Sequence, residues 1–169
     1  KRMGTLHQNL SSGTVVAVCS RPTSGVPKYP ASEVSVGAHG IDGDFHASPI
    51  NKHKKSGEEE PNTRHLTIVA SESVAAVASE LGIQLPPGSL GENVLVEGMG
   101  DLAQIKAGDV LRLGAEVSIK VTSQNRPCAT LNVYHDNIIK SFLGRRGITA
   151  VVLETGTIKP GDPVELSQT

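Results

Sequence analysis

The sequence predicts a mainly β domain, closed or nearly closed into a barrel, with one or two short packed helices. Three observations carry that expectation. Short apolar runs alternate with period two along the chain. Glycine (18) and proline (10) punctuate them, as they do in all-β domains. Helical patterns are few, and SESVAAVASELG is the clearest of them. At 169 residues the chain can bury one good core and is short for two. Residues 13–169 are therefore read as one domain, and 1–12 as a flexible N-terminus or tag remnant.

Taken in order, TVVAVCS reads as a buried strand and ASEVSVG as a half-buried one, with Val34 and Val36 on one face. HLTIVA, ENVLVEG, DVLRLG, EVSIKVT and TAVVLETG follow the same alternation. In EVSIKVT, Val117, Ile119 and Val121 face one way, and Ser118, Lys120 and Thr122 the other. A tight turn at Gly114–Ala115 joins it to DVLRLG as a hairpin. IKAGDVLRL and IKPGDPVEL echo each other, each placing a Gly-Asp turn just before a strand, which reads as reused turn chemistry. In the clear helix, Ser71 is the expected cap, Glu72 suits the first turn and Gly82 the end. A second helical piece is expected from about Asp136 to Phe142, stopping at Gly144. INKHKKSGEEEPN is charge-segregated and reads as a mobile, solvated loop.

Composition excludes some classes of function. Aromatics are 2 % of residues, so stacking platforms for single-stranded nucleic acid are missing. A formal net charge of −1 offers no field for tracking phosphates, so nucleic acid is not the expected partner. No apolar run is long enough for a bilayer span, and a membrane role is not expected. Lys1 and Arg2 precede a methionine, which fits an added scar or a longer natural end, and KRMGTLHQNLSSG lacks the apolar core of a signal peptide. Two cysteines cannot build a secreted disulfide framework, so a cytoplasmic protein with two free thiols is expected.

The two thiols differ in setting. Cys19 lies in an apolar strand, where a thiol behaves as a small inert hydrophobe. Cys128 follows Arg126 and Pro127 in SQNRPCATLN. Proline suits the first position of a helical turn, which would place Cys128 in the first turn among unpaired N–H groups. With Arg126 beside it, that setting favours a thiolate. The alternative is a cysteine buried under a barrel corner. In HGIDGDFHA an extended chain would set Asp42, Asp44 and His46 on one face, enough for a divalent metal. Gly40 and Gly43 favour turns instead, with Asp44 fixing the loop and His46 projecting into a pocket. Lys28 stands close between two prolines that stiffen its backbone. Arg64 and His65 begin one strand, and Glu92 and Asn93 another, where such residues more often close turns.

The order of SGVPKYP, GIDGDFHA, RHLTIVASES, SLGENVLVEG, IKAGDVLRLG and SQNRPCATL resembles the MOSC domain, the C-terminal module of molybdenum-cofactor sulfurases that also occurs alone. The resemblance runs from about Val15 to Leu166, and Cys128 matches the characteristic cysteine. It implies a mostly β barrel binding the molybdenum cofactor, a molybdopterin-type group. Cys128 would then be the catalytic residue, ligating molybdenum or carrying sulfur as a persulfide. Lys28, Asp44, His46, Arg64, His65, Asn93 and Arg126 are the implied cofactor-binding residues, with Lys28, Arg64 and Arg126 on the phosphate. Some stand-alone relatives help reduce N-hydroxylated bases with a separate reductase. One stretch departs from the pattern: the family's HGG segment is replaced by INKHKKSGEEEPNTRH, which offers only His53 and His65 in its place. The chain holds no pyridoxal-phosphate desulfurase domain and no ferredoxin-type cysteine cluster, so sulfur or electrons must come from a partner protein. A homodimer stays open. Two other functions compete with a redox or sulfur-transfer role: a cofactor carrier without turnover, and a hydrolase with a metal at Asp42, Asp44 and His46.

Overall fold

A computed structural model describes residues 10–52 and 57–167. Along the chain run β1 (Ser12–Ser20), β2 (Tyr29–Ala31), β3 (Val34–Gly37), β4 (Gly40–Ile41), β5 (Leu66–Ala70) and α1 (Ser71–Leu81). There follow β6 (Val94–Glu97), β7 (Val110–Leu113), β8 (Val117–Gln124), a 3₁₀ turn (Ala129–Val133), α2 (Ile138–Phe142), β9 (Ile148–Glu154), β10 (Gly156–Ile158) and β11 (Pro163–Leu166).

Seven strands close a barrel in the order β1, β11, β7, β8, β9, β5, β6 and back to β1. The seam is β1. Its start pairs with β11, its middle with β6 and its end with β2, all antiparallel. Register shifts between Val15 and Ala17 in β1, and between Val121 and Ser123 in β8. Such bulges bend a strand and raise its twist, which a small closed barrel needs. The β5–β6 pair is parallel, so it requires a crossover, and α1 supplies it. Among the described residues, no helix is long and apolar enough to cross a membrane.

Alternation along the strands sorts two cores. Val15 and Val18, Leu66 and Ile68, Val94 and Val96, and Ile119 and Val121 fill the barrel interior. Val34, Val36, Ile41 and Ile158, from the small sheet β10–β3–β4, join the same cluster. The outer faces of β1, β5 and β6 give Ala17, Cys19, Val69 and Leu95 to a second cluster, which packs Val74 and Val77 of α1 and Ile138 and Phe142 of α2. Strand β5 is thus buried on both faces, which corrects the period-two alternation expected of HLTIVA.

The repeated Gly-Asp turns perform the same docking twice. Asp109 and Asp162 each accept the N–H of the lysine three residues earlier, at 2.8 and 3.0 Å. The Gly108 N–H donates to the Val121 carbonyl, and the Val121 N–H to the Asp109 carbonyl. Gly161, Asp162 and Val15 repeat that exchange on β1. The two strands that follow, β7 and β11, then pair with each other.

Two local expectations are corrected. Ser71 is the first helical residue of α1. The cap is Ala70, which has no side-chain bond, because the chain enters the helix directly from β5. The 51–62 stretch is anchored at its base: Ile50 bridges Pro61, and Asn51 and Glu60 bond through backbone and side chain. Buried Asn62 donates to the His46 and Ser48 carbonyls, both at 2.8 Å. Residues 53–56, His53 among them, lie outside the described residues. Asn62→Ala would strand two carbonyls, that of Ser48 in a buried setting and that of His46 in a half-buried one, at about 1 kcal/mol each. Thermal unfolding should therefore show a loss of about 2 kcal/mol for Asn62→Ala, while exposed Glu59→Ala stays within about 0.5 kcal/mol of wild type.

Candidate functional site

The site lies on the outer wall of the barrel, where Thr67 of β5, the 24–28 and 88–91 loops and the Cys128 segment enclose a cavity of about 280 Å³. The 3₁₀ turn after β8 presents the thiol. Cys128 is its cap in extended conformation (φ −125°, ψ 166°), one residue before the turn rather than inside it. Its carbonyl accepts the Leu131 N–H at 3.0 Å, and buried Leu131 pins the turn to the second core. The thiol stays exposed, with Sγ 2.7 Å from the Thr130 hydroxyl. The buried-corner alternative is thereby excluded. Cys19 is fully buried; desolvation first, then the Glu92 charge, pushes its thiol up to about 12 against the opposing pull of Lys28.

Lys28 is a buried ammonium, only 2 % exposed, that still lines the cavity. Its Nζ donates to Asp44 Oδ2 at 2.8 Å and lies 3.0 Å from His46 Nδ1. A charged ammonium only donates, so Nδ1 accepts and the imidazole proton sits on Nε2. Asp44 also accepts the Arg21 N–H through Oδ1 and the His46 N–H through Oδ2. Burial alone would raise its carboxyl; the charge and hydrogen bond of Lys28 and the backbone hydrogen bond from Arg21 outweigh that and hold it well below the usual carboxylate range. Burial likewise pulls the Lys28 ammonium down, with Asp44 opposing.

The backbone of Lys28 is set by the opposite loop. Its N–H donates to the Gly88 carbonyl, and a Cβ on Gly88 would lie 2.0 Å from the Lys28 carbonyl oxygen, so only glycine allows that approach. Buried Glu92 accepts the Gly88 and Leu90 N–H groups, the turn-closing role expected of it. Tyr134 donates to the Ser89 carbonyl and Arg146 to that of Leu90.

Sequence reasoning missed Arg146. It is buried in the cavity wall, and its Nε and Nη1 have no partner among the described residues. The available signal was GRRG, a paired arginine held between glycines. Arg145 turns outward to Glu80 at 2.7 Å, which leaves Arg146 to turn inward. Gly147 follows at φ +97°, packed against the Ile68 backbone.

Lys28, Arg64, Arg126 and Arg146 therefore meet at one cavity, with His46 and Cys128 and no lining acid. Four cations without an acid suit a phosphate-bearing anion, and the exposed thiol suits a soft metal or a sulfur atom. Three expected residues do not line it. Asp44 acts from behind, through Lys28. Asn93 is a buried tie, taking the Thr67 N–H and giving its amide to the Cys19 carbonyl. His65 accepts the Val152 N–H on Nδ1 and stacks edge-on against His39; burial and that neighbour keep it below its ordinary value. The metal triad also fails. Asp44 gives its oxygens to Lys28 and backbone N–H groups, Asp42 is exposed, and no group of three or more His, Cys, Asp or Glu able to hold a metal exists among the described residues.

A family model of the MOSC domain matches residues 42–165. The chain belongs to the MOSC domain family. YuaD of Bacillus subtilis (strain 168), named as a proposed metal-sulfur cluster biosynthesis protein, is 30 % identical over 148 residues, covering 75 % of this chain and 76 % of the relative. The YuaD crystal structure superposes with a TM-score of 0.82 at 25 % identity, covering 94 % and 97 % of the two chains. YiiM of Escherichia coli shares the fold, with a TM-score of 0.65 at 24 % identity over 94 % of this chain and 70 % of its own. MOSC domains are associated in general with the molybdenum cofactor, and the cation-lined cavity with its exposed cysteine fits that association.

Two predictions follow from the MOSC site's geometry. Iodoacetamide labelling of the native protein with peptide mapping should modify Cys128 and leave Cys19 intact until unfolding. Asp44→Asn should cost about 3–5 kcal/mol, because it leaves the Lys28 charge buried without its carboxylate. With the Asp44 pKa depressed on folding, its stabilisation is fully present above the unfolded value of about 4 and is lost as pH falls below it. Urea unfolding at successive pH values should accordingly show a shallower acid decline for Asp44→Asn than for wild type.

Proposed function

We propose that this MOSC protein binds the molybdenum cofactor and acts in redox chemistry or sulfur transfer through Cys128. One observation carries the reading: an exposed thiol opens onto a cavity whose charged lining groups are all cationic. Lys28, Arg64 and Arg146 would hold the phosphate, the arginines by paired N–H donors and Lys28 as a point charge. Lys28 is held in place by Asp44, and its Nζ fixes the tautomer of His46. Cys128 offers a soft thiolate suited to molybdenum or to a persulfide sulfur. Bound there, the cofactor would supply two-electron redox chemistry. The loop 88–91, braced by Glu92, Tyr134 and Arg146, walls the cavity on the side facing Lys28.

The proposed assignment of YuaD to metal-sulfur cluster biosynthesis supports the sulfur-handling side of this reading. Two cysteines are too few to ligate an iron–sulfur cluster of four thiolates, so a separate reductase or sulfur donor completes the reaction.

Anaerobic co-expression with cofactor biosynthesis, followed by metal and pterin analysis, tests the proposal. Wild type should retain molybdenum with pterin. Cys128→Ser should keep the wild-type circular dichroism spectrum and lose turnover of an N-hydroxylated base. Arg146→Met should weaken pterin retention about tenfold, the worth of one charge-assisted hydrogen bond. Retention of cofactor without turnover by wild type would identify a carrier, and zinc or manganese without pterin would overturn the reading.

A further inference from the structure

A second concavity of about 590 Å³ lies on the other side of the Cys128 segment, between the end of β8, the end of α2 and the loop at Ala103. Arg126 lines both it and the Cys128 cavity, and so forms their common wall. Three consecutive side chains line this groove, and the exposed two, Gln124 and Arg126, bring unused polar groups to its surface. Gln124 spends its amide nitrogen on the Leu102 and Ile105 carbonyls, at 3.0 and 2.8 Å, which fixes the side chain and leaves Oε1 as a free acceptor among the described residues. Asn125 spends Oδ1 on the Arg64 guanidinium and the Arg126 N–H, which fixes its amide orientation. Its Nδ2 is buried with no partner among the described residues. The Arg126 guanidinium likewise has no side-chain partner among them.

An unsatisfied buried amide costs about 1–3 kcal/mol, and folded proteins leave few of them. The apolar part of the groove is Leu143, 64 % exposed at the end of α2, with Pro127 and Ala103. No acid lines it. The nearby Asp101 turns its Oδ1 to the Ala103 N–H at 2.9 Å. The groove thus offers one acceptor, one free cation and an aliphatic wall, which complement an amide N–H, a carboxylate and a short apolar group.

We propose that this groove is a second ligand subsite that takes a small organic carboxylate carrying an amide, with Arg126 as its anchor. The ligand would lie one peptide unit from Pro127 and two residues from the thiol, beside whatever the Cys128 cavity holds. The proposal does not depend on the cofactor reading.

Titration of the ¹⁵N-labelled full chain with N-acetyl-L-leucine tests it, with neutral N-acetyl-L-leucinamide as the comparison. The carboxylate should bind saturably, shifting the amide signals of residues 124–126 and 143–144, and the neutral amide should bind at least tenfold more weakly. Leu143→Asp puts a like charge on an exposed rim position. Asn125→Asp keeps the Oδ1 acceptor and puts a charge like the ligand's beside Arg126. Each should weaken the carboxylate at least tenfold, while Val133→Asp, at an exposed position outside the groove, should leave it unchanged. Equal binding of carboxylate and amide, shifts confined to Lys28, His46 and Arg64, or wild-type affinity in Leu143→Asp would overturn the proposal. Each of these outcomes can be read without molybdenum, so failure here is distinct from failure of cofactor retention.

Discussion

A buried ammonium against a buried carboxylate organises the site of this protein. Lys28 and Asp44 are both shielded from water, and each would be costly to keep charged without the other. Their contact ties three separate parts of the chain together. Arg21 bonds Asp44 through its backbone, Lys28 arrives from a loop held by Gly88, and His46 closes onto both partners. Such a pair contributes little net stability compared with a well-packed apolar pair of the same volume. What it provides is placement: one positive charge held at the cavity wall with little freedom to move.

The barrel makes that placement possible by keeping the cavity outside itself. Its interior is filled with aliphatic side chains, so no ligand enters there. The opposite faces of the same strands meet α1, α2 and the Cys128 turn, and the cavity opens where that second layer parts above Thr67. Because β5 is buried on both faces, it is a rigid floor for a site otherwise built from loops. Loops carry the chemistry and strands hold its geometry.

The two cysteines show how setting decides the role of one side chain. Cys19 points outward from β1 into the layer beneath the helices, and desolvation keeps its proton on. Cys128 stands clear of that layer because Leu131, three residues on, takes the buried position. Residues three apart within a 3₁₀ turn would share a face, but Cys128 is extended and precedes the turn, so its side chain does not follow Leu131 inward.

By itself the sequence determined what short-range physics controls. Period-two alternation placed Val117, Ile119 and Val121 inside and found the β7–β8 hairpin, and Gly82 marked the end of α1. The Gly-Asp echo foretold two matching turns, and the apolar setting of Cys19 foretold a buried thiol. Order and spacing of short segments were enough to suggest the MOSC family. Only the tertiary structure decided which polar residues share a cavity. Asn93 and Arg146 look alike in sequence, each a polar residue at a strand entrance, yet one ties strands together and the other lines the site. Asp42 and Asp44 look like a pair, yet a lysine 16 positions before Asp44 claims that carboxylate. The physical reason is that burial and partnership of a polar group are set by long-range contacts, such as the bond from Arg64 to Asn125 across 61 residues, and no local pattern encodes them.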